Sequence, residues 1–339
     1  MVCILDALLE RLDYSALQHL YSAKGRNPAV DPRIMFKILV YAYSQNIYSS
    51  RGIELSCKRD INFMWLLAGY KAPDHSTIAR FRVGFLGYAC ENLFYQMVSR
   101  LFNAGELSKE TVFIDGTKLE ACANKYTYVW KRAVSKWEEN MFQKIQDEVQ
   151  KINHEYIKSF SVKPETITKD LKKICKFLEN ICEIQNTKFV LGRGRRKSKN
   201  QRYLETFQKF LKRQTVYDWH TASFKGRNSY SKTDPDATFM HMKEDHLQNA
   251  QLKPGYNVQI GVDSEYIVAT DIYQDRNDVW TLVPFLKNIE EKLGFRYPSV
   301  TADSGYESEE GYSFLRENKQ KAYINPKTYR QWKKRSFKN

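Results

Sequence analysis

What the 339-residue chain lacks narrows its chemistry before any motif is read. Acid is in deficit: Lys and Arg outnumber Asp and Glu by 54 to 39, for a formal charge of +15 and a pI near 9.3. Such a balance points to a polyanionic partner, nucleic acid first, because Lys and Arg at phosphates release counterions. A generally basic soluble protein is the plainer alternative. The six cysteines, at 3, 57, 90, 122, 175 and 182, form no Cys-x-x-Cys pair, which fits free, mostly buried thiols in a reducing cytosol. The six histidines show no metal-ligand spacing, and His241 with His246 misses the helical i,i+4 step, so a zinc site is not expected. Neither Gly-x-x-x-x-Gly-Lys-Ser/Thr nor Gly-x-Gly-x-x-Gly occurs, which leaves a nucleotide-binding fold unsupported. No apolar run approaches membrane-spanning length, and the N-terminus has no cationic start before an apolar segment. A soluble, unexported protein with no membrane partner is the expectation.

What is present organises itself around Val112-Phe113-Ile114-Asp115-Gly116-Thr117-Lys118-Leu119-Glu120-Ala121. Three apolar residues lead into one aspartate, and Gly116 follows. The pattern predicts a buried strand ending on an acid, then a tight turn into a second strand. A carboxylate there needs a cation or hydrogen bonds to hold it. Asp115 is either a metal ligand or the cap of an Asx-turn at Gly116.

The first 105 residues read as helix. Leu5, Leu8, Leu9 and Leu12 recur at helical spacing, Asp31-Pro32 is a strong helix start, and Asp60 caps a short helix holding Phe63 and Leu66. Ser76 or Thr77 is the expected cap of a helix beginning Ile78-Ala79-Arg80-Phe81-Arg82. A helix-turn-helix unit with Arg80 and Arg82 near the start of its recognition helix fits this succession. A small helical bundle with solvated arginines fits it too.

After Asn124 the apolar stripe Val134, Trp137, Met141, Ile145, Val149, Ile152 and Tyr156, and a second at Leu171, Ile174, Leu178 and Ile181, predict an antiparallel helical hairpin. Between Lys188 and Arg213 ten basic residues face one acid, Glu205. Arg193, Arg195, Arg196 and Lys197 form its densest part, a candidate loop for tracking DNA phosphates, or else a solvated linker. Lys118 and Lys125 are further candidates for a phosphate contact. Beyond about residue 229 the pattern turns to strands. Tyr256–Val262 and Tyr266–Ile272 flank a turn at Asp263-Ser264-Glu265, and Trp280–Ile289 reads as a buried helix. Val300–Tyr306 is a short strand ending in Asp303 and Gly305, followed by a helix at 308–318 and a strand at Lys321–Asn325.

From residue 111 the order is therefore strand, long helical insertion, strand, strand, helix, strand, helix, strand. Without the insertion that is the order of a ribonuclease-H-like core, in which the first and fourth strands are neighbours. Asp115 and Asp303 would then sit at matching strand ends and share a divalent cation. The expected fold class is α+β: an all-helical N-terminal DNA-binding domain (1–105), the first strand of the core (106–125), a helical insertion with the basic loop (126–228) and the rest of the core (229–339).

The opening stretch resembles the first-aspartate strand of the bacterial insertion-sequence DDE transposases. So do Ser231-Lys-Thr-Asp-Pro-Asp-Ala237, Lys253-Pro-Gly-Tyr-Asn-Val-Gln259 and Ala302-Asp-Ser-Gly-Tyr306, while Asp31–Tyr43, Ile47–Arg59 and His75–Arg82 resemble the InsH-type N-terminal domain. The resemblance implies that Asp115 and Asp303 are the first and second catalytic, metal-binding acids for Mg²⁺ or Mn²⁺. It implies that the helical domain binds the inverted-repeat ends of an element in double-stranded DNA, which are cut and joined to target DNA, usually by a homo-oligomer, here in a bacterial cytoplasm at the nucleoid. One departure matters. The family's third acid, a glutamate in a Tyr-x-x-Arg-x-x-x-Glu-x-x-x-x-x-x-Lys pattern, has no counterpart: Tyr329 and Arg330 are adjacent and no acid follows Glu317. Glu307, Glu309 and Glu310 read as a helix start. A C-terminally truncated transposase with impaired activity is the expectation, and a non-catalytic DNA-binding remnant is the alternative.

Overall fold

The computed structural model describes residues 1–21, 28–191, 196–242 and 251–328. Its N-terminal part is helical: α1 (Val2–Glu10), α2 (Ser15–Gln18), α3 (Pro32–Ser44), α4 (Ser50–Arg59), α5 (Ile61–Leu66), α6 (His75–Arg80), a π-helical turn (Phe81–Leu86) and α7 (Gly87–Asn103). Capping explains the starts. The Asp31 carboxylate accepts the Arg33 N–H at 2.8 Å ahead of Pro32, and Asp60 accepts the Asn62 N–H at 2.8 Å. Leu17, Ile38, Ile53, Phe63 and Ile78 are fully buried in the core these helices share. Lys37 of α3, itself buried, is ion-paired with Asp6 and Glu10 of α1.

The rest of the chain runs β1 (Thr111–Glu120), β2 (Tyr128–Trp130), α8 (Lys131–Tyr156), α9 (Ile167–Ile184), α10 (Lys199–Phe224), β3 (Ser229–Ser231), β4 (Thr238–His241), β5 (Leu252–Asp263), β6 (Tyr266–Tyr273), α11 (Leu282–Leu293), β7 (Ser299–Ala302), α12 (Glu309–Glu317) and β8 (Lys321–Ile324). The sheet order is β4-β5-β1-β7-β8, with β6 also paired to β5. It is mixed: β1–β7 and β7–β8 are parallel, whereas β4–β5 is antiparallel. The fold is thus a mixed α/β one, and the expected adjacency of the two aspartate-bearing strands is observed.

Two compact units emerge from the contacts. One comprises Met1–Asp115, Ile260–Thr270 and Leu282–Asn339, and the other Gly116–Gln259 and Asp271–Thr281. In the first, Val112, Val300, Phe285 and Ile289 are buried, and a Cβ on Gly261 would stand 3.3 Å from Val112 and 3.4 Å from Ile289. In the second, the apolar stripes of α8 and α9 share one core with Leu204, Phe207 and Tyr217 of α10.

Several expectations need correcting. No turn interrupts β1 at Gly116, because the ladder continues: Ala121 N–H reaches the Pro254 carbonyl at 2.8 Å, and a Cβ on Gly255 would sit 2.7 Å from the Leu119 oxygen. Glycine in a strand here marks close backbone approach rather than a turn. Phe113 is not buried; alternation sends it to the face opposite Val112 and Ile114, where it is 52% exposed. The helical hairpin is a three-helix assembly, with α10 packed on both α8 and α9. Trp280 lies exposed in a 3₁₀ turn (Asp278–Trp280) ahead of α11. The β2–β3 ribbon and β4 were not anticipated, being only three or four residues long.

Candidate active site

The parallel β1–β7 pair builds the site. Its register matches Thr111 with Ser299, Val112 with Val300, Phe113 with Thr301 and Ile114 with Ala302. Asp115 and Asp303 follow in step, one residue past the last matched pair. Asp115 lies within the strand, and Asp303 keeps an extended backbone (φ −76°, ψ 175°). Alternation therefore carries both to the face that also presents Phe113 and Thr301, on strands about 4.8 Å apart. Both residues are exposed. The Asp303 Oδ1 accepts the Gly305 N–H at 2.7 Å and caps the turn Ser304–Tyr306.

Chemically, the pair offers hard oxygens on an exposed face of two adjacent strands. Two like charges held side by side favour a cation between them, and Mg²⁺ commonly takes one or two carboxylates and keeps several waters. The residues fit a divalent ion on that count. Among the described residues, no group of three or more His, Cys, Asp or Glu could hold a metal. Glu307 does not extend the pair: one of its carboxylate oxygens accepts the Lys327 N–H at 2.7 Å.

The segment leading into β1 is fixed by Asp263, a residue that sequence reading assigned only to a turn. Its carboxylate, 1% exposed, accepts the Ser108 hydroxyl at 2.7 Å, the Lys109 N–H at 3.0 Å and the Tyr297 hydroxyl at 3.2 Å. Burial pushes its carboxyl pKa up, but the hydrogen bonds from Ser108, Lys109 and Ser264 outweigh it and hold the group below the usual carboxylate range.

Arg227 was likewise missed. Its guanidinium donates to the carbonyls of Ser223, Phe224, Pro235 and Asp236 at 2.7–3.0 Å and to the Thr238 hydroxyl at 3.2 Å. It pins the end of α10 to the Asp234-Pro235-Asp236 loop. An arginine directly after Lys225-Gly226, where φ turns positive at both, was the available signal.

The basic candidates fare differently. Helix α6 starts at His75 beneath Asp74, not at Ser76 or Thr77. The Asp74 carboxylate accepts the Thr77 N–H at 2.8 Å and the Ser76 hydroxyl at 2.6 Å, so those two residues serve the cap instead of forming it. Arg80 is exposed on the last turn of α6. It borders a cavity of about 620 Å³ lined also by Tyr21, Met35, Phe81 and Phe85. Arg82 is engaged: its Nη1 donates to the Tyr48 carbonyl at 2.9 Å, and the guanidinium lies 5.5 Å from the Tyr43 ring centre. Lys197 is ion-paired with Glu205 at 2.7 Å, and Arg196 is exposed. Arg193 and Arg195 lie outside the described residues, as do Tyr329 and Arg330. Lys125 pairs with Glu120 at 2.8 Å, as does Lys253 at 3.0 Å.

Comparison with known families gives the class. A transposase domain model (DUF772) matches residues 1–83, and a transposase DDE domain model matches residues 227–339. Asp303 lies inside the second match and Asp115 between the two. The chain belongs to the DDE transposases of insertion sequences. No curated protein and no solved structure matches it. Among the described residues no helix is long and apolar enough to cross a membrane.

Proposed function

We propose that the chain is a metal-dependent DNA transposase. In this reading the N-terminal helices, with Arg80 at the surface, bind the inverted-repeat ends of an insertion sequence. A ribonuclease-H-like core then cuts those ends and joins them to target DNA, in a homo-oligomer working in the bacterial cytoplasm. The observation that carries it is the in-step placement of Asp115 and Asp303 on adjacent parallel strands. Asp115 and Asp303 would hold Mg²⁺ or Mn²⁺ through hard carboxylate oxygens. When bound, the ion supplies charge stabilisation at the transferring phosphoryl group. The chain's own share is to fix the two oxygens on rigid strands and, through its basic surface, to hold the DNA backbone against them.

Asp115→Asn keeps the shape of the side chain and removes its charge. It and Asp303→Asn are each expected to lower cleavage and joining of inverted-repeat DNA at least a hundredfold, an effect on the order of 3 kcal/mol in the barrier. Unchanged joining by either variant would refute the assignment.

A second reading, a non-catalytic protein that occupies element ends, is favoured by the lack, among the described residues, of a third acid grouped with the pair. End binding by the unmutated protein with no Mg²⁺-dependent joining would select it.

A further inference from the structure

The register that sets Asp115 beside Asp303 continues into a third strand. Strand β8 lies parallel to β7, with Thr301 matched to Tyr323 and Ala302 to Ile324. Combined with the β1–β7 register, this gives a buried row, Ile114–Ala302–Ile324, and an outward row, Phe113–Thr301–Tyr323. Phe113 and Tyr323, at its two ends, are 52% and 58% exposed. The next row is Asp115, Asp303 and Asn325. Asn325 is exposed and immediately precedes Pro326. A residue before proline is pushed to extended backbone, so the alternation of β8 carries through Asn325 to the outward face. Proline then ends the ladder, since it has no N–H to give. The register across β1, β7 and β8 thus sets three oxygen-bearing side chains in one row, two carboxylates and one amide, Asp115 from within its strand and Asp303 and Asn325 from just past the ends of theirs.

We propose that Asn325 supplies a third oxygen ligand, beside Asp115 and Asp303, to the divalent cation held on this face of the sheet. The proposal rests on the reading of Asp115 and Asp303 as metal ligands. A side-chain amide carbonyl is a hard, neutral donor of the kind that Mg²⁺ and Ca²⁺ sites accept. The neutral ligand would also complete a third position without adding a third negative charge beside the two aspartates.

Mn²⁺ alone is the probe, titrated into the full-length protein and followed by the loss of the free-ion signal in electron paramagnetic resonance. Thermal melting of each variant reports folding. Asn325→Ala is expected to weaken Mn²⁺ binding about tenfold, and Asn325→Asp, which keeps an oxygen at the position, to match or exceed the unmutated protein. Asp115→Asn and Asp303→Asn are expected to weaken it at least as much as Asn325→Ala. If the two aspartate variants lose binding while both Asn325 variants bind as the unmutated protein does, the Asn325 ligand is overturned and the aspartate pair stands. Equal weakening by Asn325→Ala and Asn325→Asp also overturns it, because the oxygen is retained in one of them. Binding that ignores Asp115→Asn and Asp303→Asn, or no binding by the unmutated protein, overturns the metal reading itself.

Discussion

Away from the aspartate pair, single polar residues hold separate stretches of the chain, the first of them the lead into β1. There Asp263 gathers donors from Ser108, Lys109, Ser264 and Tyr297 around one buried carboxylate. Asp263→Ala would strand several of those donors, and a loss of about 2–4 kcal/mol is expected in urea unfolding. The pH dependence follows from the lowered carboxyl. A depressed folded value means that the stabilisation is complete above the unfolded value. It fades as acid brings the pH through the lower, folded one, so Asp263 contributes to an acid limb below about pH 4. The Asp263→Ala protein should show a shallower loss of stability there. Arg227 is the second such residue. Lysine offers a single ammonium where the fork meets several oxygens, so Arg227→Lys should cost about 2 kcal/mol. Faster amide exchange around Asp234–Thr238 would report it, and unchanged exchange would count against the pinning role.

Among the elements, legibility followed the strength of local signals. The starts at Asp31-Pro32 and Asp60 were readable because capping chemistry is written in adjacent residues. So was the hairpin at Asp263-Ser264-Glu265, where Ser264 and Glu265 adopt φ of 51° and 71°. The apolar stripes of α8 and α9 were plain from their spacing, and Tyr203, Phe207, Phe210 and Leu211 after the basic run return to helical spacing too, but that this helix, α10, covers both of the others was not read. Periodicity shows a face to be buried and does not say against what. β1 was misread at Gly116 because the pairing partner that keeps it extended lies more than a hundred residues away, in β5. The same long-range pairing makes a local prediction. Gly255→Ala would drive a methyl into the Leu119 carbonyl and the Met242 side chain, at 2.7 and 2.6 Å. A loss of about 1–3 kcal/mol is expected by thermal or urea unfolding. A neutral result would mean that the two strands separate easily at that point.

For the molecule as a whole, the excess of 54 basic over 39 acidic residues and the two transposase domain matches point to DNA together, although no individual basic side chain was confirmed as a contact. Arg82 and Lys197, singled out in the sequence, prove to be engaged within the protein, which sequence could not foretell because their partners, Tyr48 and Glu205, are brought in by folding. If four or more phosphates are neutralised, affinity for duplex DNA should fall about a hundredfold or more between 50 and 200 mM salt. Fluorescence anisotropy with a labelled duplex measures this, and a flat salt response would argue against a phosphate-tracking surface. The site itself was half legible. Asp115 and Asp303 each stand in a recognisable motif, and the order of elements already made their strands neighbours, but the exact register, and with it the place proposed for Asn325, comes only from the folded sheet. The most direct test is to let the metal mark its own position. Fe²⁺ replacing Mg²⁺, with ascorbate and peroxide, cuts the backbone where it is bound. Cuts near residues 115 and 303 in the same protein, both abolished by Asp115→Asn, are the predicted result. Cuts elsewhere, or cuts near residue 303 that survive Asp115→Asn, would contradict a cation shared by the two strands.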